Sequence, residues 1–246
     1  MSATVLVQTQ GISRRYGGLM AVSGLDMEVR AGEILGLIGP NGAGKSTTFN
    51  LISGFVKPTQ GRLFIDGMDV TGASPTRISK LGLVRTFQHG SLMKTLTVRD
   101  NLLIGAIGAT RAGQGTERRA RVAEAAAMLG LESHLQEIAG NLPHGLQRLV
   151  SIAIAFAVHP RILCLDEPLT GLNQTEAAHA LGVFRQIRDR YGCAILLVEH
   201  NMKAVMAVCE RIIVLHHGQL LATGTPAEIR ANQSVVDAYL GVRHAR

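Results

Sequence analysis

Nine consecutive residues, Gly39-Pro40-Asn41-Gly42-Ala43-Gly44-Lys45-Ser46-Thr47, constrain this chain more than any other segment. They satisfy the pattern G-x-x-x-x-G-K-[ST] in full, between an apolar strand-like run, EILGLI, and a segment of helical character, STTFNLIS. Glycines let the backbone curl until successive N–H groups face one anion, and the next helix adds roughly half a positive charge at its N-terminus. In such a loop Lys45 reaches β- and γ-phosphates, and Ser46 offers a hydroxyl to Mg2+. A glycine-rich turn that binds nothing has no need of a lysine and a hydroxyl at these two spacings. The loop implies a nucleotide without choosing among kinases, GTPases, helicases and transport motors.

The rest of the pattern suits an α/β chain. VLVQTQGISRRY and AVSGLDMEV alternate as strands do, and GRLFIDGMDV repeats that style with Asp66-Gly67 as a turn signal. From about residue 97 the spacing becomes helical. Thr97 is the expected N-cap of TVRDNLLIGAI, with Asp100 three residues on, and ERRARVAEAAAMLGL reads as a helix ended by Gly130. The glycine-rich stretch Gly105 to Thr116 between them reads as a linker or loop. After residue 145, RILCL, TEAAHALGVFRQIRDRYG, CAILLVEH, MKAVMAVCE and RIIVLHH form a β-α-β-α-β series, which argues for a parallel sheet.

Composition excludes several classes. With 46% hydrophobic and 17% charged residues, the 246-residue chain is neither disordered nor an acidic solvating segment. Mean hydropathy is +0.20, which calls for a check on membrane spans. The longest nearly apolar run, LVSIAIAFAV from Leu149 to Val158, falls well short of the roughly 20 residues a bilayer needs. MSATVLVQTQ has no charged leader and no cleavage site, so a signal peptide is not expected. Cys164, Cys193 and Cys209 each lie in an apolar run without a C-x-x-C pair and read as small buried hydrophobes. Aromatics are 4% with no Trp, against a stacking platform for single-stranded nucleic acid.

A second motif stands at Ile162-Leu163-Cys164-Leu165-Asp166-Glu167-Pro168, an apolar strand ending in two carboxylates. A buried parallel strand delivers its last residues to the sheet edge where ligands bind in open α/β folds. There Asp166 is suited to hold Mg2+, and Glu167 to polarise an attacking water.

With both motifs in hand, the chain resembles the ATP-binding subunit of an ABC transporter over nearly its whole length. Tyr16, in RRYGG, matches the aromatic that stacks on adenine. Gln88, in RTFQHG, matches the glutamine that contacts Mg2+ and water beside the transmembrane partner. His200, in LLVEHNM, matches the histidine that contacts the γ-phosphate, and Asn173, in TGLN, stands where an Asp is usual. The resemblance implies a P-loop NTPase fold of α/β class: a mixed or parallel core sheet, an N-terminal antiparallel β subdomain and a helical subdomain. It implies one domain over 1–246, with the helical part at about 90–158 and a helical extension at 224–246. ATP and Mg2+ are the implied cofactors. Glu167, His200 and Gln88 are the implied catalytic residues. Tyr16, the loop from Gly39 to Thr47 and Gly145 would bind nucleotide, and Ser46, Gln88 and Asp166 would hold the metal.

The segments VRTFQHGSLMKTLTVRDNLLIGA and EHNMKAVMAVCERIIVLHHGQLLATGTPAEIRANQSVVDAYLG resemble the hydrophobic amino acid uptake group, and within it the longer of two ATPases. Branched-chain amino acids, amides, urea and aromatic acids are all cargoes of that group. Its architecture implies a second ATPase subunit (a paralogue or a second copy), two transmembrane permease subunits and an extracytoplasmic binding protein. The chain would then sit peripherally on the cytoplasmic face of the inner membrane. Two other readings stay open. One is a soluble ABC ATPase acting on nucleic acid or ribosomes, prompted by the net charge of +7 and the pairs Arg14-Arg15 and Arg118-Arg119. It is disfavoured by a single cassette with no coiled-coil or zinc insertion, and a nucleic-acid partner is not expected. The other is a catalytically weakened regulatory subunit.

The weakened reading comes from one departure. Where the family carries LSGGQ, this chain reads Leu142-Pro143-His144-Gly145-Leu146-Gln147-Arg148. Losing the Ser hydroxyl removes a donor toward the partner subunit's γ-phosphate, although the helix N-terminus near Gly145 still offers backbone N–H groups. Members that import branched-chain amino acids are similarly loose here, but Leu146 places an apolar side chain where a polar one is usual. ATP facing this segment is therefore expected to turn over slowly. A Leu146→Gln variant assayed with its partner subunits should hydrolyse ATP several-fold faster; an unchanged rate would remove this explanation.

Overall fold

A computed structural model describes residues 4–86, 92–108 and 115–240. The chain divides into two compact units, one formed by 1–81 with 194–246 and the other by 82–193.

The first unit opens with two long strands, β1 (Val5–Tyr16) and β2 (Leu19–Arg30), paired antiparallel. The short β3 (Ile34–Ile38) comes next, buried at all five positions, and leads into α1 (Lys45–Ile52). Then come β4 (Gln60–Ile65), β5 (Met68–Asp69) and α2 (Pro75–Lys80). β4 pairs antiparallel with both β1 and β5, completing the sheet β2-β1-β4-β5. The turn expected at Asp66-Gly67 is present: both residues have positive φ, 51° and 74°, as a tight hairpin demands, and Ile65 pairs with Met68 across it.

The second unit begins at β6 (Leu83–Arg85) and continues through α3 (Val98–Gly108), α4 (Gly115–Leu129) and α5 (His144–Phe156). It closes with β7 (Ile162–Asp166) and α6 (Gln174–Tyr191). β6 and β7 run parallel, with Arg85 opposite Cys164. Thr97 caps α3 as its position suggests: its Oγ1 accepts from the Asp100 amide at 3.1 Å and donates to the Asp100 carboxylate at 2.7 Å. α4 ends before Gly130, whose φ is +67°.

The linker expected over Gly105–Thr116 is corrected at its two ends, while 109–114 lie outside the described residues. Gly105 to Gly108 belong to α3, while Gly115 and Thr116 begin α4. Gly105 serves close packing, not a break: a Cβ there would fall 2.2 Å from the Ile154 carbonyl oxygen on α5. The glycine is what lets α3 and α5 approach.

The first unit resumes with β8 (Ala194–Val198), α7 (Met202–Val208), β9 (Arg211–His216), β10 (Gln219–Gly224), α8 (Pro226–Ala231) and α9 (Gln233–Leu240). β3 runs parallel to β8 on one side and β9 on the other, and β10 returns antiparallel to β9. Thr225 starts α8 with a full capping box to Glu228 and Pro226 in the first turn. The three cysteines are buried, and burial pushes each thiol up to about 12. They remain protonated, inert core residues, as their apolar runs suggest. Among the described residues no helix is long and apolar enough to cross a membrane.

Asn101 ties the start of the helical region together. It is fully buried on α3; its Oδ1 accepts from the Met93 amide at 2.8 Å, and its Nδ2 donates to Met93 O at 3.0 Å and Thr97 O at 2.9 Å. An Asn101→Ala change leaves the amide and carbonyl of Met93 without these bonds. It should lower stability by about 1–3 kcal/mol, measured by urea unfolding.

Candidate functional site

In the first unit, β3 hands the chain to the glycine loop, where the sequence must leave a buried strand and start a helix within six residues. Gly44, the residue before α1, has φ +101°, and a Cβ there would fall 2.6 Å from the Ala21 carbonyl oxygen. β2 thus runs directly past the loop, and only glycine fits both the backbone angle and the space. The loop is held from the other side by the Gly218 amide, which donates to Ala43 O at 3.1 Å. Lys45 is buried, 7% exposed, and its Nζ donates to Gly39 O at 2.6 Å and Pro40 O at 2.9 Å. Its ammonium is therefore folded over the concave side of its own loop. Asn41, Gly42 and Ser46 are exposed, while Pro40 and Thr47 are half-buried.

The β3–β8 register brings His200 to the same edge. Leu37 lies opposite Val198, so Gly39 and His200 each stand two residues beyond that pair on neighbouring parallel strands. His200 is exposed; its amide donates to Glu199 Oε2 at 3.2 Å, and Asn201 caps α7 directly after it. Tyr16 ends β1, 42% exposed, with the Arg14 guanidinium 4.6 Å from its ring centroid. That cation–π contact covers one face of the ring.

The second unit presents the carboxylates. Asp166 is the last residue of β7 and 5% exposed; Glu167 comes next in the left-handed region at φ +48°, half-buried. Two arginines that sequence reasoning passed over hold this turn. Arg148, on α5, donates through Nη2 to Asp166 O at 2.9 Å and to Glu167 O, and through Nε to Pro168 O at 3.3 Å. Arg85, on β6, donates to Asp166 Oδ2 at 2.9 Å, and both side chains are nearly enclosed, 10% and 7% exposed. The signal for each was slight: Arg148 borders an apolar helix run, and Arg85 closes the strand-like LVR.

Gly145 is buried in the first turn of α5, after Pro143 at the cap position, where no side chain caps the helix. Leu146 is half-buried, and Gln147 donates back to Leu142 O at 2.8 Å and Gly140 O at 3.3 Å. Asn173 caps α6, forming a capping box with Glu176. Gln88 lies outside the described residues.

A glycine loop between a buried strand and a helix, with a lysine folded over it, is the arrangement of a phosphate cradle. The family model described as ABC transporter matches residues 22–170. The chain belongs to the ABC transporter family. A second model, described as branched-chain amino acid ATP-binding cassette transporter, matches residues 219–245. The high-affinity branched-chain amino acid transport ATP-binding protein LivG of Salmonella typhimurium is 40% identical, with 96% of this chain and 98% of that protein covered. BraF of Pseudomonas aeruginosa, of the same description, is 39% identical at the same coverage, 96% and 98%. Among solved structures, the ADP conformation of MJ1267, an ATP-binding cassette of an ABC transporter, superimposes with a TM-score of 0.88 at 28% identity, covering 96% and 99% of the two chains. The dimeric post-hydrolysis state of the cassette MJ0796 with ADP and Pi gives 0.80 at 26% identity, covering 90% and 99%. The cassette reading of the fold, an α/β P-loop NTPase, is therefore established.

Arg148 satisfies three consecutive carbonyls around Glu167, so α5 and the Glu167 turn are mechanically joined. An Arg148→Ala cassette should keep ATP binding within about two-fold but lose at least ten-fold in hydrolysis rate, because the turn that carries Glu167, the residue expected from its motif to polarise water, loses its donors. Nucleotide titration beside a phosphate-release assay checks both halves.

Proposed function

We propose that this cassette is the ATP-hydrolysing subunit of an importer for branched-chain amino acids or related small solutes. The observation that carries the cargo group is the match of residues 219–245 to the branched-chain transporter model, beside identity of 40% to LivG across almost the whole chain. LivG and BraF support transport, and neither supports an activity on nucleic acid or ribosomes.

The residues suit ATP with Mg2+. Among the described residues no cluster of three or more His, Cys, Asp or Glu could hold a metal unaided. A hydroxyl at Ser46 and one enclosed carboxylate at Asp166 fit an ion that binds through few protein oxygens and otherwise through phosphates and water. Ser46 and Asp166, with Gln88, would hold it. Bound there, Mg2+ supplies neutralisation of charge on the phosphate oxygens.

In this reading the amides of the loop from Gly39 to Thr47 receive the phosphates, and Lys45 exchanges its bonds to Gly39 O and Pro40 O for phosphate oxygens. Tyr16 offers the open face of its ring to adenine. Glu167 orients and polarises the attacking water, and His200 stabilises charge gathering on the γ-phosphate. Gly145 and the N-terminus of α5 serve the nucleotide held by a second ATPase subunit, in a head-to-tail pair. The helical part proposed at about 90–158 carries this segment within one cassette over 1–246, and α3, α4 and α5 are its described helices; α8 and α9 are the described helices of the extension proposed at 224–246, with Gly224 itself closing β10. ATP favours the closed pair over the open one, and that differential affinity is what moves two attached permease subunits. A binding protein outside the cell delivers the solute, and the cassette stays peripheral at the cytoplasmic face of the inner membrane.

A Glu167→Gln substitution separates this reading from a regulatory subunit that only binds ATP. It should leave ATP affinity within a few-fold, reduce phosphate release at least 100-fold with partner subunits present, and trap an ATP-dependent dimer in size-exclusion chromatography. Hydrolysis at the wild-type rate would sink the assignment.

A further inference from the structure

The carboxylate assigned to the metal already has a cation. Asp166 Oδ2 accepts from Arg85 Nη2 at 2.9 Å, and the two side chains are 7% and 10% exposed. Enclosing a carboxylate this far is costly without a counter-charge beside it, and Arg85 provides one. The strand is held in place independently of that pair. Thr86, the next residue, donates its amide to Cys164 O at 2.9 Å, and its Oγ1 accepts from the Asp166 amide at 3.4 Å. The pairing of β6 with β7 therefore does not depend on the guanidinium holding the carboxylate. Arg148 holds the turn from another side, donating to the main-chain carbonyls of residues 166–168.

A guanidinium at hydrogen-bond distance and a divalent ion cannot share Asp166 without like charges meeting in an enclosed place. We propose that Arg85 is a removable counter-charge. It neutralises Asp166 in the nucleotide-free cassette and yields to Mg2+ when nucleotide binds, so Arg85 sets the metal concentration at which the site becomes competent. This makes Arg85 a positioning residue acting through Asp166, and it rests on the reading of Asp166 as the metal-holding carboxylate. The exchange is ionic, with no bond made or broken covalently. The metal-free site keeps its carboxylate paired with the guanidinium, and in the loaded site the guanidinium is displaced from it.

The test is a Mg2+ titration of fluorescent ATP-analogue binding to the full chain stripped of metal, with thermal unfolding in Mg2+ alone as a second readout. Removing the competitor in Arg85→Met should lower half-saturating Mg2+ at least five-fold and make the unfolding midpoint rise with Mg2+ without nucleotide. Arg85→Lys keeps a charge but loses the planar fork, and should lower half-saturation about two- to three-fold; it carries the test if the Met variant does not fold. The double variant Arg85→Met/Asp166→Asn, lacking both charges, should fold and show no Mg2+-dependent stabilisation. A purely structural Arg85 would shift stability and leave half-saturation where it was. Unchanged or raised half-saturation in the folded Arg85 variants overturns the proposal. Asp166→Asn alone distinguishes the two failures. If it leaves the Mg2+ response intact, the metal assignment of Asp166 falls; if it abolishes the response while Arg85 variants do nothing, only the exchange falls.

Discussion

Three five-residue strands with no exposed face govern where this protein can place polar chemistry. β3, β7 and β8 are buried at every position, so each is apolar up to its last residue and turns polar only at or beyond that end. The candidate machinery sits at those exits: the glycine loop after β3, Asp166 and Glu167 at the end of β7, and Glu199 with His200 after β8. Within the first unit the parallel register of β3 and β8 then gives Gly39 and His200 equivalent places on adjacent strands. Burial of strands thus does the positioning, and the loops inherit it.

Concentrating polar groups at strand ends has an electrostatic consequence. The loop after β3 gathers amide dipoles and a lysine, and Lys45 donates to the loop's own carbonyls at Gly39 and Pro40. The end of β7 gathers a buried carboxylate and a turn with a non-glycine residue at φ +48°. Holding such a residue there costs on the order of 1 kcal/mol, offset by the Arg148 guanidinium, which donates to three main-chain carbonyls of the turn. Breaking a buried pair such as Arg85 with Asp166 by removing one partner typically costs about 3–5 kcal/mol. Each unit thus supplies partners for its own buried charges.

Local sequence carried a large part of this. The strand read as VLVQTQGISRRY coincides with β1, the Asp66-Gly67 turn adopts its positive φ angles, and Thr97 with Asp100 caps α3. Each of these depends on neighbours within a few residues. The start of the stretch Gly105–Thr116 misled because a glycine's local preference for loops was outweighed by helix packing: Gly105 lies against Ile154, 49 residues away. Arg85 and Arg148 were missed for the same reason, since neither residue's partner is visible in its own segment. Cysteine was legible throughout, because an apolar run already announces burial.

By itself, then, the sequence determined what is encoded at short range: the phosphate loop, the carboxylates closing an apolar strand, the caps, and the order of motifs that marks an ABC cassette. Tertiary structure alone decided which charge faces Asp166, which helix steadies Glu167, and why a glycine stands inside α3. Periodicity and spacing report a residue's preference for its own backbone and for burial. A contact spanning 81 residues, as between Arg85 and Asp166, exists only once the strands that carry both have paired.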